Sequence, residues 1–163
     1  MTNPSLRVHT PQGESGSVLM SNDDYLFRYS DNAQATSAVS LTMPVRTEEY
    51  RRRELHPIFQ MNLPEGYVLE QLRNRLAKTV KVDPMLLLAL SGSSAPIGRV
   101  FVASDQVNDL IQRNGPPTIG ENLDEILAWD GAENLFAELV DRYILRAGIS
   151  GVQPKVLVPE RPQ

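Results

Sequence analysis

Polar and apolar residues alternate along the first part of the chain, which is the pattern of strands that bury one face. In the third alternating segment the aromatic residues occupy every second position, as expected for an antiparallel strand. A fourth segment, Val39–Met43, ends at Pro44, which favours an edge strand. The pattern therefore predicts an antiparallel β-meander. Its first three strands are Leu6–His9, Ser17–Met20 and Tyr25–Tyr29.

The apolar spacing changes to that of a helix after residue 54. Apolar residues then recur at helical spacing over Val68–Val80, and Pro64 is suited to open this helix. Asp83 and Pro84 have the character of an N-cap and a first helical position, and Gly92 is suited to end the helix that they begin. The remaining predicted elements of this module are a short helix at Leu55–Phe59 and a strand at Ile97–Ala103.

The apolar pattern also predicts how the chain is divided. Residues 1–104 form an α+β module, an antiparallel β-meander with packed helices. Residues 105–121 lose apolar periodicity and contain a Gly-Pro-Pro sequence, which predicts a linker. Residues 122–163 then predict a short helical segment, followed by a glycine-containing loop at 148–155 and a short strand.

Composition excludes several classes of site. The chain of 163 residues has 16 basic and 20 acidic side chains, a net charge of -4 that argues against a nucleic-acid-binding domain. It has no cysteine, so thiol chemistry is absent, and its two histidines, His9 and His56, are too few for a multi-histidine metal site. We interpret both histidines as structural, and Arg51–Arg53, which neighbouring glutamates dilute, as a solvated loop.

Neither a signal peptide nor a membrane span is predicted. Residues 1–10 lack the basic start and apolar stretch of a secretory signal. The longest apolar run, Met85–Leu90, is far shorter than the ~20 residues of a membrane helix. We therefore expect a cytoplasmic protein.

The loop at 148–155 is the strongest candidate for chemistry. Gly148 and Gly151 would let backbone N–H groups approach phosphate oxygens, and Lys155 would add a positive charge. The spacing matches neither a P-loop nor a complete kinase glycine-rich loop. From the residues alone, a phosphate-binding loop and an ordinary glycine turn both stay open.

Several segments are similar to one protein family. The sequence Asn62-Leu63-Pro64-Glu65-Gly66, preceded by His56-Pro57-Ile58-Phe59, resembles the Asn-Leu-Leu-Pro-Glu-Gly segment of HipA-family serine/threonine kinases, the toxins of bacterial toxin–antitoxin modules. Further segments resemble the family in the same order along the chain. They are Ser40–Pro44, Leu86–Gly92, Pro96–Val100 and, in the loop, Ile149–Lys155.

The resemblance implies a fold and a set of site residues. Residues 1–104 would be the HipA N-terminal subdomain, and residues 122–163 the start of a kinase N-lobe. Gly148 stands where the family often has an autophosphorylated serine, which leaves Ser150 as the candidate for this modification. The residues that the resemblance assigns to the nucleotide loop are Ser150, Gly151, Val152, Gln153 and Lys155.

The resemblance also implies what the chain does and with what. The family's catalytic segment, an aspartate followed by a histidine and an asparagine, is not found, so we expect no catalytic residue, no metal ligand and no kinase activity from this chain alone. ATP and magnesium are expected only together with a catalytic partner. The expected partner is a HipA-like kinase core or a HipB-like DNA-binding antitoxin, without direct contact to nucleic acid or membrane.

Three functional hypotheses remain open from the sequence. The first is an N-terminal portion of a split HipA-like kinase that acts with or regulates a separately encoded kinase core, as in split forms of the family whose N-terminal subdomain is an antitoxin. The second is a truncated remnant of a full-length toxin kinase. The third is a stand-alone nucleotide- or protein-binding module.

Overall fold

A computed structural model describes residues 5–77, 80–94 and 98–104, together with five positions further along, 126, 128, 129, 138 and 139. Within these residues a five-stranded sheet packs with three helices, which confirms the predicted α+β fold. A short 3-10 turn lies between the third and fourth strands, at Ala35–Ser37. The strands are β1 (Ser5–Thr10), β2 (Gly13–Ser21), β3 (Asp24–Tyr29), β4 (Tyr50–Arg52) and β5 (Phe101–Ala103). The helices are α1 (Pro57–Gln60), α2 (Gly66–Leu76) and α3 (Pro84–Ser94).

The sheet is antiparallel throughout, in the order β4-β3-β2-β1-β5. The first four strands follow one another as a meander, and β5 returns to pair with β1. Asn22 and Asp23 connect β2 to β3 with φ angles of 50° and 66°. A two-residue turn with positive φ at both positions matches the twist of the flanking strands. The hairpin of β2 and β3 is therefore closed by a tight turn.

A β-bulge shapes the first hairpin. Val8 pairs with Gly16 and His9 pairs with Glu14, so Ser15 is left without a partner in β1. The bulge places the Ser15 hydroxyl in the interior, where it donates a hydrogen bond of 2.6 Å to the carbonyl of Ser37. Through this hydrogen bond the β-bulge connects the first hairpin to the 3-10 turn.

The predicted fourth strand is wrong. Residues 39–43 contain only an isolated bridge between Ser40 and Met43, and the fourth strand is formed further along by β4. The Tyr29 hydroxyl accepts a hydrogen bond of 3.1 Å from the Val39 N–H and donates one to the Met43 carbonyl. These bonds satisfy backbone groups that would otherwise pair with a strand, so the segment is held as a loop against β3.

The helix ends differ from the predicted ones by a few residues. α2 begins two residues after Pro64, at Gly66, and ends before Val80. The predicted cap of α3 is present, since Asp83 Oδ1 accepts a hydrogen bond of 2.9 Å from the Leu86 N–H. α3 continues past Gly92 to Ser94, so the prediction that this glycine ends the helix is wrong. The glycine instead lies at a close contact with β5, as described below.

One apolar core lies between a face of the sheet and the three helices. The aromatic residues predicted to share a face of β3 are all buried, and Phe27 packs on Phe59 of α1 with ring centroids 5.5 Å apart. α3 is buried along most of its length because it is apolar on nearly every side. The largest fully buried apolar side chains are Phe27, Phe59, Leu72, Leu88, Val8 and Val18. The predicted linker at 105–121 and the predicted kinase N-lobe start at 122–163 lie outside the described residues, apart from the five positions named above.

Candidate functional site

The five residues that resemble the family motif form the turn between α1 and α2. Asn62 and Pro64 are buried, whereas Glu65 is exposed and occupies the N-cap of α2 without a side-chain bond to the helix. The Leu63 N–H donates to the carbonyl of the last α1 residue at 2.9 Å, which closes the turn. Gly66 has a φ of 54°, a conformation in which a side chain is unfavourable. The motif therefore encodes a tight connection between two helices.

An apolar cleft of about 430 Å³ lies beside this turn, and we call it the apolar cleft. Residues from three segments line it, within 35–41, 58–62 and 98–100. Two of its apolar side chains are open to solvent, since Leu41 is 102% exposed and Met61 is 48% exposed. Exposed apolar residues that cluster in this way are typical of a surface that contacts another molecule.

Hydrogen bonds fix the walls of the apolar cleft. Arg99 donates through Nη2 to the Thr36 carbonyl at 2.5 Å and also to the Gln12 side chain, so it joins the wall formed by residues 98–100 to the opposite wall. The bond from Ser15 to the Ser37 carbonyl holds the same wall from the side of the sheet. Arg99 is the one charged side chain among the described residues that line the cleft. The cleft is thus suited to binding an apolar surface and not to acid–base chemistry.

The predicted nucleotide-loop residues lie outside the described residues. They are Ser150, Gly151, Val152, Gln153 and Lys155. Their assignment to a nucleotide loop, and that of Ser150 to autophosphorylation, therefore stay predictions from the resemblance.

The structure places the remaining candidates in the sheet and in the core. Arg51 and Arg52 are exposed, as predicted, but they lie in β4 and not in a loop. His9 is a half-buried residue of β1. His56, which we interpret from the sequence as structural, is buried and only 2% exposed.

A metal-binding group of side chains and a membrane-spanning helix are both lacking in the part of the chain that the structure describes. No three of its His, Asp and Glu side chains come together in a group that could hold a metal ion. None of its helices has the length and apolar character needed to cross a membrane.

Sequence reasoning missed Leu41 and Met61 as surface residues. Val39, Leu41 and Met43 share one face of an alternating segment, so the pattern predicts all three in the core. Val39 and Met43 are buried, but Leu41 points to solvent because the segment is a loop. No local sequence signal distinguishes these cases.

Comparison with known proteins relates the chain to one family. None of the curated proteins matches the chain. The family described as the HipA N-terminal domain matches residues 6–103, which is more than half of the chain. The match spans every strand and helix described above except Ser5, the first residue of β1. The resemblance inferred from the sequence is thereby confirmed, and the chain belongs to the HipA N-terminal domain family.

Proposed function

We propose that this chain is the N-terminal portion of a HipA-like serine/threonine kinase of a type II toxin–antitoxin system, and that it acts with a separately encoded kinase core in the cytoplasm. The observation that carries the proposal is the family match over residues 6–103. In this role the chain binds and regulates the core, and the core supplies the catalytic aspartate and the magnesium ligands. ATP and magnesium belong to the assembled pair, to which the loop around Lys155 contributes.

The apolar cleft is the surface that we assign to the kinase core. It lies directly beside the turn formed by Asn62–Gly66, the segment most similar to the family. Leu41 and Met61 leave apolar area in water, and burying such area stabilises a complex by roughly 25 cal/mol per Å². Because Leu41 is fully exposed, a partner can cover it without any rearrangement of the fold.

The experiment is co-expression of the tagged chain with the HipA-like kinase core encoded by the neighbouring reading frame, followed by calorimetric titration of the purified partners. We expect a stable complex, with Leu41→Asp weakening it by about 10-fold or more because a charge would be buried at the contact. Tyr67→Asp is the matched control, since Tyr67 is also an exposed apolar residue, 40% accessible, but lies outside the cleft on α2.

The two parts of the proposal fail differently. If the unmodified chain does not bind the kinase core at micromolar concentration, the proposed function is wrong. If the chain binds but Leu41→Asp and Tyr67→Asp behave alike, the function stands and the assignment of the apolar cleft is wrong. Circular dichroism of both variants confirms that they fold.

A further inference from the structure

A second cleft, of about 290 Å³, carries a different chemistry, and we call it the basic cleft. Ile58 lines both clefts, but the basic cleft is otherwise formed by β4, the loop before it and the start of α1. Neither aspartate nor glutamate is found among the described residues that line it, although the chain as a whole has a net charge of -4. Its basic side chains are Arg46, Arg51, Arg52 and His56.

Arg46 is held in a fixed position without losing its charge. Its guanidinium lies over the ring of Tyr50, 3.6 Å from the ring centroid, in a cation–π contact. Its Nε donates to the carbonyl of Glu48 at 3.2 Å and its Nη2 to the carbonyl of Glu49 at 3.0 Å. These partners are backbone oxygens and an aromatic face, so no carboxylate neutralises the guanidinium.

The two arginines of β4 differ in their partners. Arg51 forms ion pairs with Asp24 at 3.3 Å and with Glu49 at 2.7 Å, which together compensate its charge. Arg52 has no ion pair or hydrogen bond with a side chain in the described part of the protein. Arg46 and Arg52 are therefore two uncompensated positive charges at one cleft.

His56 adds an unsatisfied polar group at the same place. Both of its ring nitrogens are buried. Neither meets the geometry of a full hydrogen bond among the described residues, and the one polar contact of the ring, with the Tyr50 backbone, is too weak to offset the effect of burial. Burial first, and the charge of Arg52 second, hold the pKa of His56 below its ordinary value. At neutral pH this lowered pKa favours the neutral imidazole, which has one N–H donor. A poorly satisfied buried donor destabilises the folded protein, and an acceptor bound in the cleft would remove that cost.

We propose that the basic cleft binds a phosphoryl group, as inorganic phosphate or as a phosphate monoester, between Arg46 and Arg52. A tetrahedral anion with nearly two negative charges at neutral pH compensates both arginines at once. Its oxygens diverge, so one set accepts from the guanidinium groups while another accepts from the imidazole N–H once the ring turns toward the cleft. A carboxylate carries a single charge and leaves one arginine uncompensated. This inference depends on described residues alone and is independent of the kinase core.

The test is a titration of the full chain with inorganic phosphate at constant ionic strength, with chemical shifts measured by NMR at each step. We expect saturable shifts of backbone amides near Arg46 and Arg52, and shifts of the His56 ring nitrogens that follow the same curve. Arg52→Ala should weaken phosphate binding by about 10-fold, the scale of one charge-assisted hydrogen-bonded contact. Arg53→Ala is the matched control, because Arg53 is the next residue along the chain, is exposed, and does not line the cleft.

Each outcome decides the proposal. A parallel titration with O-phospho-L-serine identifies the source, since tighter binding of the monoester points to a phosphorylated side chain and tighter binding of phosphate to the free ion. The proposal is overturned if phosphate does not saturate at tens of millimolar, if acetate binds as tightly, or if Arg53→Ala weakens binding as much as Arg52→Ala. It is also overturned if the His56 ring nitrogens do not respond.

Discussion

Single hydroxyl groups order the long connection between β3 and β4. The Ser15 hydroxyl donates to the Ser37 carbonyl, the Tyr29 hydroxyl to the Met43 carbonyl, and the Tyr50 hydroxyl to the Pro44 carbonyl at 2.6 Å. The bonds of Ser15 and Tyr29 are buried, whereas that of Tyr50 is exposed. A buried hydrogen bond typically contributes about 1 kcal/mol, and its loss leaves a backbone group unpaired. The connection forms a wall of both clefts, so these three hydroxyls determine the shape of the candidate binding surfaces.

His56 makes the stability of the protein dependent on pH. Its pKa is held below the ordinary value of 6.5 in the folded protein, so in mildly acidic solution the unfolded chain binds a proton that the folded chain does not. The free energy of unfolding should therefore fall as the pH drops below about 6.5, by at most about 1.4 kcal/mol per pH unit, and level off below the folded-state pKa. Urea denaturation at a series of pH values measures this slope.

The control for this prediction is His56→Gln, which keeps a polar side chain but does not titrate. His9 and all carboxylates remain in both proteins, so their contributions cancel in the comparison. We expect the variant to lose the part of the slope that His56 contributes below pH 6.5. Equal slopes in the two proteins would show that His56 does not titrate differently on folding.

At the scale of elements, the packing of α3 on β5 depends on a glycine. A Cβ atom added at Gly92 would lie 2.6 Å from the Cβ of Val102 and 3.4 Å from its backbone nitrogen. Helix propensity alone would favour alanine at this position by about 1 kcal/mol. The close contact explains why the sequence keeps glycine inside a helix that continues beyond it.

We therefore expect Gly92→Ala to destabilise the protein by roughly 1–2 kcal/mol, because overpacking of a core contact outweighs the gain in propensity. Adding Val102→Ala should not rescue the variant, since alanine retains the Cβ atom that is contacted. Asn74→Ala, on the exposed part of α2, serves as the control and should be neutral or slightly stabilising. Thermal and urea denaturation measure all three, and a stabilised Gly92→Ala protein would contradict the contact.

At the scale of the whole molecule, stability is graded across the sheet. β2 is paired on both sides, with β1 and with β3, whereas β4 is paired with β3 through three residue pairs at an edge of the described sheet. Local opening requires less free energy at such an edge than in the middle of a sheet. This edge also carries Arg52, so the basic cleft lies at a part of the sheet that opens more readily than its middle.

Hydrogen–deuterium exchange should show this gradient. We expect the amides of β2 that pair with both neighbours to exchange slowest, and those of β4 to exchange faster by about 10-fold or more. Peptides that cover residues 16–20 and 50–52 provide the comparison within one experiment. Equal protection of the two segments would mean that another surface covers β4 in solution.

Much of the element order followed from local chemistry. The Asn22-Asp23 turn, the aromatic alternation in β3 and the Asp83 cap of α3 depend on backbone preferences and on side-chain contacts between near neighbours. Residues 39–43 do not form the strand that their alternating pattern predicts. The reason is that the Tyr29 hydroxyl, from β3, forms hydrogen bonds with the Val39 N–H and the Met43 carbonyl.

The sequence by itself determined the α+β class, the membership of the HipA N-terminal domain family and the position of the motif between two helices, because each depends on residues adjacent in the chain. Only the tertiary structure decided which apolar residues stay in water and which charges lack partners. Leu41 is exposed because hydrogen bonds to Tyr29 hold its loop at Val39 and at Met43, on either side of it. Arg51 differs from Arg52 because it forms an ion pair with Asp24 on the neighbouring strand, which Arg52 does not. Both clefts depend on contacts between residues far apart in the chain, and local patterns carry no information about such contacts.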